Sequence, residues 1–341
     1  MTAEDRTAAG DRYVLEILAD GAILLDLESG MIFQLNSSAA FIWQRVLAGR
    51  TLAEVCRDMV RAFGIGEEAA HADADAALGL PETSPAPEAE TPFRYELVDR
   101  VYRFSDAERE LLEVSPHDRR LRVLSGFDAA RVHLYLTSIT PKIAALMGLT
   151  LLHASAVVDT RGTATLFVGP SGAGKTTTAR ALVRANEGWR LLAEDKVVLR
   201  PEPVQGDGER VVAVLEGERH IHTWMAEACD RLGPGGETSC PLDALGMAAT
   251  GTAFPTERIL LIERTRRRSG PLDLSPLGQT AAAREIFRSA FYGSHLADEW
   301  RRQLRTTAAL GRTAPTFLAN MPDGLDALDA MARSYADTTT S

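Results

Sequence analysis

The stretch that decides the fold reads Thr165-Leu166-Phe167-Val168, then Gly169-Pro170-Ser171-Gly172-Ala173-Gly174-Lys175-Thr176, then Thr177-Thr178-Ala179-Arg180-Ala181-Leu182-Val183. It is a short apolar run, a glycine-rich turn of the form G-x-x-x-x-G-K-[ST], and a run with helical period. Glycines let the backbone turn tightly and aim successive N–H groups inward. The turn feeds the N-terminal end of a helix, where aligned peptide dipoles attract phosphate. The spacing therefore predicts a strand, a phosphate loop and a helix, with Gly169, Ser171, Gly172, Ala173, Gly174, Lys175, Thr176 and Thr177 around the phosphates of ATP. Lys175, in a solvent-facing loop, would reach the terminal phosphates, and the Thr176 hydroxyl would sit on Mg²⁺.

Working outward, Leu192-Ala193-Glu194-Asp195 follows the helix and a short apolar run. A phosphoryl-transfer site needs one carboxylate for the metal and one to orient or deprotonate an acceptor hydroxyl. We assign Asp195 as base and Glu194 to Mg²⁺ or its waters, with Asp195 kept in the metal set; the roles can be exchanged. A solvated acidic turn is the alternative. Upstream, His153 interrupts the apolar run Leu149–Val158. A lone histidine in such a strand is either structural or catalytic; as a site residue it would orient Asp195 or touch phosphate. Arg219 and His222, with His220, precede Trp224 and are candidates for the wall of an acceptor cleft. The basic run Arg264-Thr265-Arg266-Arg267-Arg268 reads as a solvated loop.

The rest of the chain bounds these readings. At 341 residues it is long enough for two or three domains. Residues 1–92 hold 16 Asp and Glu against 6 Arg and no Lys, so the net charge of −10 falls there and the remainder is neutral. Neither part carries the basic surface of a nucleic-acid binder. No apolar run reaches the roughly 20 residues that span a bilayer, and the polar start Met1–Arg6 lacks an export signal. Cys56, Cys229 and Cys240 are far apart and form no C-x-x-C pair, which suits a reducing cytoplasm better than a disulfide framework or zinc site.

Residues 1–80 read as a small winged-helix-like α+β module. Tyr13–Leu18, Ala22–Leu27 and Met31–Leu35 are strands. Ala39, Ile42, Trp43, Val46 and Leu47 mark one helix face; Thr51-Leu52-Ala53-Glu54 is a capping box that opens a second helix; an alanine-rich third runs to about Leu78. Residues 81–92, PETSPAPEAETP, form a proline- and glutamate-rich linker, a boundary with few crossing contacts. From Phe93 to the end an α/β pattern takes over. Phe93–Leu97, Val101–Phe104, Arg119–Leu124 and Val132–Leu136 read as extended, and Asp106–Val114 and Pro141–Met147 as helical.

Two resemblances rest on these residues. Gly21–Gly30, Phe33-Gln34-Leu35-Asn36, Ala39–Trp43 and Thr51–Val55 resemble the PqqD family of peptide-recognition chaperones, over about 11–80. The resemblance implies that a precursor's leader peptide adds as a strand to the module's edge, at Met31, Ile32, Phe33, Gln34 and Leu35, and packs on the third helix. The third helix departs from the family in being short, alanine-rich and acidic. Leu152–Val157, the phosphate loop and Leu192–Asp195 are similar in order and spacing to HPr kinase/phosphorylase-related kinases, which belong with PEP-carboxykinase-like P-loop proteins, over about 93–330. Together they imply an ATP- and Mg²⁺-dependent kinase for a Ser or Thr hydroxyl of a ribosomally made precursor peptide. That peptide would be one partner, other peptide-modifying enzymes further ones, and a homo-oligomer is compatible. A kinase for a small carrier protein or hydroxylated metabolite, and a nucleotide-regulated scaffold that delivers peptides, are the alternatives.

Overall fold

The computed structural model of the chain describes residues 10–79, 94–99, 101–105, 110–115, 117–118, 120–124, 141, 144–145, 148–203, 209–214, 238–241, 252–264, 272–290, 297–322 and 324–339. The linker and the segment with Arg219, His220 and His222 lie outside these residues, as do Val132–Leu136 and most of the basic run after Arg264.

The N-terminal module starts with strands β1 (Tyr13–Leu18), β2 (Gly21–Asp26) and β3 (Ile32–Leu35) in an antiparallel sheet of that order. Helices α1 (Ser37–Leu47), α2 (Leu52–Phe63) and α3 (Glu67–Leu78) follow. Asn36 caps α1 by accepting from Ala39 N at 2.9 Å. The capping box at α2 is present: Thr51 Oγ1 accepts from Glu54 N, and Glu54 accepts from Thr51 N at 2.8 Å. The small faces of α3, Ala70 and Ala74, pack on Val55, Cys56 and Met59 of α2. Trp43 Nε1 donates to Ala77 O at 2.9 Å, tying α3 to α1.

β2 is buried along its whole length, which explains why Ala22-Ile23-Leu24-Leu25 is a continuous apolar run and not an alternating one. Ala22 and Leu24 face Trp43 and Ala40 within the module. Ile23 and Leu25, with Leu18, face the other way, onto helices from the distant end of the chain.

Those helices belong to a mixed α/β unit. Its strands are β8 (Thr150–Val158), β9 (Ala164–Val168), β10 (Arg190–Ala193), β11 (Lys196–Pro203), β12 (Glu209–Val214), β14 (Ala253–Arg264), β15 (Asp273–Pro276) and β16 (Thr316–Met321). β8, β9, β14 and β16 run side by side, β9 parallel to β14 and β14 parallel to β16. β10 and β11 line the far side of β8, β12 joins β11 to the start of β14, and β15 closes the edge on β16. Helices α4 (Lys175–Ala185) and α7 (Leu325–Thr339) cover one face through Ala179, Leu182, Met331 and Tyr335. Helices α5 (Gln279–Arg288) and α6 (Ala297–Thr313) lie toward the other, where Ile286 and Leu310 join the core of Leu152, Leu166 and Ile259. A second, antiparallel sheet holds β4 (Arg94–Val98), β5 (Val101–Ser105), β6 (Glu110–Ser115), β7 (Arg120–Val123) and β13 (Thr238–Pro241) in the order β13-β7-β6-β5-β4.

Two expectations need correction. The helix expected over Asp106–Val114 is a strand where it is described: Glu110–Ser115 pairs with β5 and β7. Leu112 and Val114 are buried in that pairing, and Glu113 takes ion pairs from Arg103 at 3.2 Å and Arg122 at 3.0 Å. Tertiary pairing overrides the helical preference of Glu and Leu. The second is the boundary with few crossing contacts. Leu18, Ile23 and Leu25 share one cluster with Ala283, Phe287, Trp300, Leu304 and Ala308. Around it Glu16 accepts from Arg312 at 3.3 Å, and Arg301 donates to Asp11 O at 3.3 Å. Strands β13 and β15 carry no pattern that we anticipated.

Candidate functional site

β9 ends at Val168 and the chain turns through the phosphate loop into α4. The first turn residue must be glycine because a Cβ at Gly169 would come within 2.8 Å of Ile262 O on the parallel neighbour β14. Gly174, the N-cap of α4, sits at φ 99°, a left-handed conformation that side chains resist. Among the described residues no side chain caps that helix end, so its first N–H groups face an anion site there.

Lys175 differs from expectation. It is 6% exposed, not solvent-facing. Its ammonium folds back to donate to Gly169 O at 2.9 Å and Pro170 O at 3.1 Å, and lies 3.3 Å from His153 Nε2. Burial lowers its pKa from the ordinary lysine value, against the pull of Asp195.

The two acidic residues occupy the break between β10 and β11, both of which pair with β8. Ala154 N donates to Asp195 O at 3.1 Å, which holds the break against β8. The backbone of Glu194 faces the loop: its carbonyl accepts from Thr176 Oγ1 at 2.9 Å and from the Ser155 hydroxyl. The carboxylates then part company. Glu194 points to Arg180 on α4, a bidentate pair with contacts of 2.7 and 2.8 Å. Asp195 turns to the loop side, where Oδ1 is 3.2 Å from His153 Nε2 and Oδ2 accepts from Lys196 Nζ at 2.9 Å. Burial works to raise the Asp195 pKa, but the hydrogen bond and charge of Lys196, with His153 and Lys175, outweigh it and hold the carboxyl below its ordinary range.

His153 lies between Lys175 and Asp195; it is the half-buried residue of an otherwise buried β8 and stands opposite Lys196 in the sheet. Burial first, then the Lys175 charge, lowers its pKa below the ordinary imidazole value. The neutral ring has one Nε2 position to share. Bearing the proton, it donates to Asp195; without it, it accepts from Lys175.

Of the candidates, Lys175, Thr176, His153 and Asp195 converge, and Glu194 joins them through its backbone while its carboxylate engages Arg180. Ser155, Lys196 and Arg180 were missed. Ser155 was legible: it lies two residues after His153 on a strand, hence on the same face. Its Oγ is 3.2 Å from Thr176 Oγ1. Among the described residues no cluster of three or more His, Cys, Asp or Glu is placed to hold a metal. Thr176 and Asp195 offer oxygen donors, the kind that Mg²⁺ takes beside waters and phosphate oxygens.

In the N-terminal module, β3 forms one edge of its sheet, and among the described residues no strand pairs with its outer side. Met31 just precedes it and is 39% exposed; Gln34 is exposed, while Leu35 is buried.

Residues 21–79 match the family described as Coenzyme PQQ synthesis protein D (PqqD). The N-terminal resemblance is therefore borne out over those residues. No curated protein sequence matches the chain. Among solved structures, the Hpr(Ser) kinase/phosphatase from Coxiella burnetii is similar at 12% identity, with 56% of this chain and 99% of that chain covered and a TM-score of 0.26. That superposition is too loose to carry geometry across. Among the described residues no helix is long and apolar enough to cross a membrane.

Proposed function

We propose that this chain is an ATP- and Mg²⁺-dependent kinase that phosphorylates a Ser or Thr hydroxyl of a ribosomally made precursor peptide, whose leader lies along β3. The observation that carries the reading is the convergence of Lys175, His153, Asp195 and Thr176 at the open N-terminal end of α4. The PqqD match at 21–79 supports a peptide as the partner.

In this reading the loop N–H groups and Lys175 hold the β- and γ-phosphates, Lys175 exchanging its bonds to Gly169 O and Pro170 O for phosphate oxygens. Bound Mg²⁺ would neutralise charge on the phosphates, with Thr176 and Asp195 as its protein ligands. Once Lys175 has turned to phosphate, His153 Nε2 donates to Asp195 and fixes it. Asp195 orients the acceptor hydroxyl and takes its proton as oxygen attacks the γ-phosphorus and the bond to ADP breaks. A carboxylate with a low pKa is a weak base, which suits a transfer in which positioning supplies most of the rate. The arrangement favours Asp195 over Glu194 for this role, since the Asp195 carboxylate faces His153 on the loop side while that of Glu194 turns away to Arg180.

Lys175→Ala and Asp195→Asn, assayed by mass spectrometry on a cognate precursor peptide, test the assignment. Near-normal transfer in both variants contradicts it.

A further inference from the structure

The module that carries β3 is more than a tether. The β1–β2 turn, Ala19-Asp20, lies over the N-terminal end of α5. Asp20 Oδ1 accepts from Thr280 N at 2.9 Å and from the Thr280 hydroxyl, and Ala19 N donates to Gln279 Oε1 at 3.0 Å. No residue of α5's own chain segment caps it; its N-cap position is Gly278. That glycine makes room for the visiting carboxylate: a Cβ there would fall 2.0 Å from Asp20 Oδ2. Along its length α5 turns Ala283 and Phe287 to Leu18, Ile23 and Leu25 of the module, and it packs against β2 and β3. At its other end, Ser289 O accepts from His153 N at 2.9 Å, and Ala290 bridges Leu152. One helix of 10 residues thus joins the sheet that bears β3 to the backbone of His153.

We propose that Asp20 is a positioning residue for the phosphoryl-transfer site: by capping α5 from the N-terminal module, it fixes the helix whose C-terminal end holds His153. The docked module is then part of the catalytic unit, and a peptide seated on β3 touches a sheet coupled to His153 through α5. The function assigned to His153 rests on the kinase reading above; the coupling itself does not.

The full-length protein is compared with three variants. Asp20→Ala removes the cap. Gly278→Ala keeps Asp20 but pushes it aside, at a backbone conformation that alanine accepts (φ −62°). Asp20→Asn retains the capping oxygen, and Asn caps as well as Asp. Hydrogen–deuterium exchange of the His153 amide is expected to quicken roughly three- to tenfold in the first two, in keeping with the loss of one cap, and to return to wild type in Asp20→Asn. The double variant Asp20→Ala/Gly278→Ala should be no worse than the worse single. With precursor peptide and Mg·ATP, the same two variants should lower kcat by a similar factor at unchanged KM for the peptide. Unchanged exchange at His153 in both variants, or faster exchange spread evenly over the molecule, overturns the proposal. A raised KM with kcat intact overturns it too, because the module then only captures peptide. If the wild type transfers no phosphate, the kinase reading fails, and the exchange measurement still decides the coupling.

Discussion

The phosphate-loop corner and the contact between the N-terminal sheet and α5–α6 are assembled in opposite ways. The corner is built largely from local sequence: Gly169 to Thr176 supply loop, helix start, cation and hydroxyl within eight consecutive positions. The contact joins residues about 260 positions apart, such as Asp20 with Thr280. The first is coded by a motif whose residue types each answer a chemical need. The second is coded by burial, and burial does not name its partner. A site can thus be legible while the surface that steadies it is not.

The largest expected effect is at the corner. Lys175→Ala should reduce phosphoryl transfer to assay background, since no other residue of the loop carries positive charge. Because burial makes the Lys175 charge costly, its thermal midpoint should not fall; a large drop in a calorimetric melt would break the view that this residue is kept for chemistry.

Next comes the contact. Trp300 is 6% exposed and shares a cluster with Leu18, Ile23 and Leu25. Trp300→Ala should cost about 3–5 kcal/mol in denaturant unfolding, as large-to-small changes in cores do. A loss below 1 kcal/mol, the size of a surface change, would mean that the module and α6 are only loosely apposed. For the same reason a chain starting near Phe93 should expose the apolar faces of α5 and α6, and aggregate or lose turnover, where a mere tether would raise KM alone.

Asp195→Asn keeps the shape and removes the proton acceptor. It should slow transfer by about 10²-fold with ATP still bound. Glu194→Gln, which disturbs the Arg180 pair on an exposed surface, should slow it far less. Equal losses from the two would erase the distinction drawn between the carboxylates.

Thr51→Ala removes an internal cap of the module and should cost about 1 kcal/mol, with no change in amide exchange at His153. It is the control that separates loss of module stability from loss of the Asp20 cap.

The smallest effect is on proton binding. His153 titrates below the ordinary imidazole range when folded, through burial and then Lys175. The unfolded ring therefore takes up a proton that the folded ring refuses. His153 contributes stability that is present above the ordinary imidazole pKa and is lost as pH falls through that range toward the folded value. His153→Gln should flatten that part of the stability–pH curve. By NMR, Lys175→Ala should raise the His153 pKa and Asp195→Asn should lower it further, since the first removes a repelling charge and the second an attracting one.

The sequence made most of the corner readable. Loop, helix, His153 and Asp195 were found by motif, period and order, and the PqqD stretch by its own residues. What escaped was set by neighbours. The turn of Glu194 to Arg180 depends on α4 lying beside the β10–β11 break. The burial of Lys175 depends on loop carbonyls that no spacing reveals. Glu110–Ser115 became a strand because Arg103 and Arg122 flank Glu113 across a sheet. The contact did leave one trace: Ala22-Ile23-Leu24-Leu25 lacks the alternation of a strand with a wet face, so a cover had to exist, although nothing in those residues pointed to Phe287 or Trp300.

The most direct test of the kinase reading is one reaction. Full-length protein, Mg·ATP and a cognate precursor peptide are incubated, with and without the leader, and the peptide is weighed and fragmented. The account predicts a single phosphoryl group on a Ser or Thr outside the leader, dependent on Lys175, with less product when the leader is cut away. ATP bound or hydrolysed with the peptide left unmodified, leader present, would contradict it.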